Sequence, residues 1–142
     1  MILDKNLILS DAQAPKAEGT YLSDNIIDTV EIGDAVNELY FVACVETACN
    51  GGTGATVEVK LVTTDSITEN AGVVTLNNPV TLWSSGAIGF ATLTDKYCLG
   101  IVRLPKPERV RRYIAAQIII GTADLTAGAF DIYLTDNPQT NI

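Results

Sequence analysis

No histidine occurs anywhere in the 142 residues. Histidine is the side chain whose unperturbed pKa lies near neutrality, so its lack removes Ser-His-Asp and Cys-His catalysis and the commonest zinc ligand. Carboxylate hydrolysis and lysine chemistry survive that filter and little else does. Basic residues are also scarce, nine against seventeen acidic ones, for a net charge of -8. A chain of that sign repels phosphates, so nucleic acid is not an expected partner. Aromatic residues make up 6%, too few for a stacked sugar-binding platform to stand out. No apolar run reaches bilayer-spanning length, and Met1-Ile2-Leu3-Asp4-Lys5 has no secretion-signal pattern. The expectation is a protein made in a reducing cytoplasm, without export and without a membrane partner.

Cysteine is limited to Cys44, Cys49 and Cys98, at no zinc-like spacing. Two readings stand: three small, buried, reduced core residues, or oxidised ones, with a Cys44–Cys49 bridge or an intermolecular bond through the thiol left over. Other motifs are missing as well. Asn50-Gly51-Gly52-Thr53-Gly54-Ala55 holds the glycines of a phosphate loop but no lysine. No calcium loop of alternating aspartates occurs. Asp28/Glu31 and Asp131/Asp136 are carboxylate pairs of the kind glycoside hydrolysis uses, yet each lies where a strand ends or shows its polar side. No catalytic residue, cofactor site or metal site is assigned, and the chain reads as a non-enzyme.

What is present is strand signal. Apolar residues reach 47% and charged ones 18%, which supports a buried core in a chain of single-domain size. Leu39 to Val45 is continuously apolar, the pattern of a strand buried on both faces. After the glycine cluster, Thr56 to Val62 alternates, with Val57, Val59 and Leu61 inward and Glu58 and Lys60 outward. These two segments are expected to pair as a hairpin. Further strands are expected at Asn25–Ile32, Val80–Trp83 and Cys98–Leu104. Arg112–Ile120 follows, with Ile114, Ala116, Ile118 and Ile120 on one face. Ala129–Thr135 closes the series, with Phe130, Ile132 and Leu134 inward. A helical turn has candidates only around Val73–Leu76 or Ile88–Leu93, and Gly86 and Gly89 oppose the second. About eight antiparallel strands predict an all-β sandwich, and the absence of a Cys…Trp…Cys spacing favours a jelly roll over an immunoglobulin-like sandwich.

Two segments stand apart. Residues 1–23 mix Ile2, Leu3, Leu7, Ile8 and Leu9 with Ala/Pro-rich linker chemistry, and are expected to form an extended arm on the domain of residues 24–142. Such apolar residues need a cover, on a neighbouring chain or on the chain's own domain. Residues 96–112 hold six of the nine basic residues, Lys96, Arg103, Lys106, Arg109, Arg111 and Arg112, opposed only by Glu108. This basic segment suits ordered assembly against acidic surfaces; the alternative is internal pairing with nearby carboxylates.

The opening Met1-Ile2-Leu3-Asp4-Lys5-Asn6-Leu7-Ile8-Leu9-Ser10-Asp11-Ala12-Gln13-Ala14, the stretch Thr20 to Ile32, and Arg111 to Gln117 followed by Gly121-Thr122 and Thr126-Ala127-Gly128-Ala129-Phe130 resemble the capsid cement (decoration) proteins of short-tailed bacteriophages, of the Bordetella phage type. The resemblance implies a jelly roll on the outer surface of the virion. There it would clamp adjacent major capsid proteins as a homo-oligomer, dimer or trimer, and stabilise the shell. Cys44-Val45-Glu46-Thr47-Ala48-Cys49 has no counterpart in it. The expected capsid or subunit contacts are Ile2, Leu3, Leu7, Ile8 and Leu9 in the arm and Arg103, Lys106, Arg109 and Arg111 in the basic segment. Two rivals are weighed beside it: a carbohydrate- or receptor-binding sandwich of a phage tail or adhesin, and a carboxylate hydrolase.

Overall fold

A computed structural model describes residues 8–28, 39–104 and 111–135. Twelve strands occur among them: β1 (Ile8–Gln13), β2 (Gly19–Leu22), β3 (Ile27–Asp28), β4 (Tyr40–Gly51), β5 (Thr56–Thr64), β6 (Ser66–Asn70), β7 (Val73–Asn77), β8 (Val80–Ser84), β9 (Ile88–Gly89), β10 (Cys98–Arg103), β11 (Tyr113–Gly121) and β12 (Leu125–Thr135). All pairings are antiparallel. One sheet runs β1-β12-β4-β10 and the other β2-β11-β5-β8, with β3 beside β11 and β9 beside β5. The architecture is an all-β antiparallel sandwich, as expected from the spacing of strand signals.

Period-2 alternation explains the interior. Val57, Val59 and Leu61 of β5 and Ile114, Ala116, Ile118 and Ile120 of β11 are buried in one continuous core with Phe130, Ile132 and Leu134 of β12. Each such large side chain contributes roughly 1.5–3 kcal/mol by leaving water. The unbroken apolar run on β4 serves two sides. Phe41, Ala43 and Val45 face the core, while Val42 and Cys44 turn outward into a second cluster with Tyr133, Ile8, Cys98 and Ile101. Trp83 of β8 packs on the core beside Phe41, ring centroids 5.7 Å apart and tilted by 56°.

Four expectations are corrected. Strands β4 and β5 do not form a hairpin, because β4 lies between β12 and β10 and β5 between β11 and β8. The glycine segment carries the chain from one sheet to the other, with the Ala55 N–H donating to the Gly52 carbonyl at 3.0 Å. The segment around Val73–Leu76 is a strand of a two-stranded hairpin, while Phe90–Thr92 forms a 3₁₀ turn in the region where Gly86 and Gly89 spoke against helix. Residues 8–22 do not stand off as an arm, since β1 pairs with β12 and β2 with β11, one in each sheet. Of the strand expected over Asn25–Ile32, residues 25–28 are described, and only Ile27–Asp28 is strand, paired with Ile114 and Tyr113.

The connectivity is nested. In chain order the eight strands of the two sheets are β1, β2, β4, β5, β8, β10, β11 and β12, and first pairs with last, second with seventh, third with sixth, fourth with fifth. Pairings β12-β4 and β11-β5 then roll this long double ribbon into two sheets.

Candidate docking surface

The residues singled out from the sequence fall into distinct environments. Ile2, Leu3, Leu7, Lys106 and Arg109 lie outside the described residues. Leu9 is fully buried in the main core of its own chain. Ile8, half-buried, joins the outward cluster around Val42 and Tyr133. Both positions follow from the pairing of Ile8 with Tyr133 and of Ser10 with Ile132, which places β1 on the edge of the first sheet. The strand is irregular beyond that point: Ala12 takes φ 52°, and its N–H donates to Asp131 Oδ1 at 2.7 Å.

The basic segment divides similarly. Arg103 is exposed at the end of β10, opposite Tyr40. Arg111 reaches Asp65 of the same chain at 3.3 Å, and its N–H donates to Thr63 Oγ1 at 2.8 Å. Arg112 donates from Nε and Nη2 to the two carboxylate oxygens of Asp28, at 3.3 and 3.1 Å, with its guanidinium 5.0 Å from the centre of the Tyr113 ring. Internal pairing therefore holds for Arg111 and Arg112, and it fastens the start of β11 to β3 and to the β5–β6 turn. Asp28, a member of one considered carboxylate pair, is thereby engaged with a cation; Glu31 and Asp136 lie outside the described residues.

Carboxylates gather on the outer side of the first sheet. Glu46 is held above its ordinary range by a hydrogen bond and charge repulsion from Asp131, reinforced by Asp11 and Asp95. Asp24 is raised by burial and then by Asp11. Several of these groups accept backbone N–H bonds where the ladder is irregular: Asp95 from Ala48 at 2.7 Å, Asp131 from Ala12 and, elsewhere, Asp124 from Glu18 at 2.8 Å. Among the described residues no three His, Cys, Asp or Glu side chains gather as a metal site would require.

The β6–β7 hairpin was not legible as a surface element. It forms its own two-stranded sheet off the sandwich, turning through Ala71 (φ 51°) and Gly72 (φ 81°), two successive left-handed residues that suit a two-residue hairpin turn. Val73 at its tip is 66% exposed and Val80, just beyond its base, 41%. The Asn70-Ala71-Gly72-Val73 turn between Ile67 and Leu76 was the available signal. The arrangement offers a rigid two-sheet body with an acidic patch, exposed Arg103 and an apolar hairpin tip.

Residues 9–134, most of the chain, match the model of the Bbp16 family. No curated protein matches the chain.

Proposed function

The chain belongs to the Bbp16 family, a family of phage capsid cement (decoration) proteins, and from that membership we propose that it binds the outer surface of a phage head and clamps adjacent major capsid proteins. The observation that carries this reading is the family match over residues 9–134, which includes both sheets of the sandwich. The nested strand pairing supports a jelly roll, which is a double-sheet wrap of eight strands. A stiff body with its chemistry spent on internal hydrogen bonds suits a role in which many modest contacts at symmetry-related sites add by avidity. As a homo-oligomer, dimer or trimer, it would multiply those contacts.

The proposed contacts are Ile2, Leu3 and Leu7, together with Ile8 at the edge of the outward cluster, and Arg103, Lys106 and Arg109. Arg111 contributes through its position beside Asp65, and Leu9 by holding β1 in place. The acidic balance keeps free copies apart and off packaged DNA.

The test is co-sedimentation of the purified chain with heads lacking it, followed by cryo-electron microscopy of the decorated particle. Saturable occupancy at symmetry-related sites and a higher disruption temperature of the shell are expected. Failure to bind heads, with hits on a glycan array or turnover in a glycosidase screen, would replace this reading with one of the two rivals.

A further inference from the structure

We propose that Cys44 and Cys98 are a cross-strand dithiol that closes to an intramolecular disulfide under mild oxidation, locking edge strand β10 to central strand β4. The two residues are register partners. The Val45 N–H donates to the Tyr97 carbonyl at 2.8 Å, one residue beyond Cys44 and one before Cys98. That bond marks Cys44 and Cys98 as a pair that exchanges no ladder bonds of its own. At such sites in antiparallel sheets the Cα atoms approach to about 4.5 Å, inside the range a disulfide spans. Both side chains enter the same outward cluster beside Val42, Tyr133, Ile8 and Ile101.

Cys49 does not compete. It packs against the main core on the opposite side, where a Cβ on Gly128 would come within 2.8 Å of its Sγ. A Cys44–Cys49 bridge, one of the two sequence readings, is therefore replaced by the cross-strand pair. All three thiols are free in the structure.

The order of events follows from exposure. Cys98 is half-exposed and Cys44 buried, and burial with the neighbouring thiol lifts Cys44 to about 12. Cys98 thiolate attacks one sulfur of a small external disulfide such as oxidised glutathione and expels one thiolate, which takes up a proton. Cys44 then gives up its proton and attacks Cys98 Sγ, expelling the second small thiol. Two protein thiols lose two electrons and two protons, and the external disulfide becomes two thiols. The inference does not depend on capsid binding.

The experiment uses the full chain incubated with oxidised glutathione, then alkylated under denaturing conditions and digested without reduction. One alkylated thiol per chain, at Cys49, a Cys44–Cys98 linked peptide, and a melting temperature raised by about 5–10 °C and restored by reductant are expected. Cys49→Ser should close in the same way with no alkylated thiol left, while Cys98→Ser should show no rise. Three alkylatable thiols after oxidation, a peptide linking Cys44 to Cys49, or covalent dimers through Cys98 would overturn the proposal.

Discussion

The ring of Trp83 occupies the space that a side chain at position 100 would need. A Cβ built on Gly100 would overlap Cζ2 and Cη2 of that ring, and the ring packs against Phe41. Glycine there is a packing requirement between sheets, because β10 and β8 belong to different ones. Gly100→Val should lower stability by about 1–3 kcal/mol through overpacking, read as a lower denaturant midpoint at unchanged slope, with Trp83 fluorescence reporting a displaced indole. Electrostatics acts on a second residue. Glu46 holds its proton above the ordinary value of 4.5 because Asp131 bonds to it and repels its charge, with Asp11 and Asp95 adding. The folded chain therefore binds this proton more tightly than the unfolded chain. Stability falls as pH rises from 4.5 through the raised folded value, and the penalty is fully present above it. Glu46→Gln should melt higher than the parent at neutral pH, and the two melting curves should converge at about pH 4 and below. A neutral-pH difference that persists unchanged in acid would assign the effect to something other than this proton.

At the scale of elements, the hairpin shows what local patterning conveys. A two-stranded sheet is marginal by itself in water, so β6–β7 depends on its base. Thr64, fully buried, places its hydroxyl on the carbonyls of Ser66 and Asn77, closing the two strands where they leave the sandwich. Thr64→Val leaves these carbonyls without that donor and should cost about 1–2 kcal/mol. Hydrogen exchange in residues 66–77 should quicken roughly tenfold, with β5 and β11 protected as before. Equal acceleration in β11 would show that Thr64 supports the core instead. Strands β5, β11 and β12 were legible because one buried face imposes a period of two. The run on β4 was legible because both its faces are covered. Pairing was not: adjacency in sequence suggested that β4 and β5 join, whereas each is completed by strands far along the chain. Val73-Val74-Thr75-Leu76 is too short for its period to decide between a helical turn and a strand.

Over the whole molecule, the decisive question is what the first residues do. Sequence alone joined Leu9 to Ile2, Leu3, Leu7 and Ile8 as one docking segment, because five apolar residues near a terminus carry no mark of which one is core. The fold assigns Leu9 to the core: it is sealed inside, Ser10 is buried, and the Asn25 N–H donates to the Leu9 carbonyl at 2.8 Å. Removing residues 1–14 strips β1 from β12, opens the core at Leu9 and leaves the ladder edge of β12 unpaired. That truncation should lower stability by at least about 2–5 kcal/mol, the range for deleting one large core side chain, and promote aggregation through the bared edge. Loss of capsid binding in it would report unfolding alone. Removing residues 1–7 keeps every described strand, so its far-ultraviolet spectrum should match the full chain and its melting temperature should fall by no more than about 3 °C. Its occupancy on phage heads should drop by at least about tenfold if Ile2, Leu3 and Leu7 together supply as little as ~1.4 kcal/mol per bound copy. Unchanged occupancy with an unchanged fold would shift the clamp to Arg103, Lys106 and Arg109, where charge reversal to Glu should weaken binding and flatten its dependence on salt.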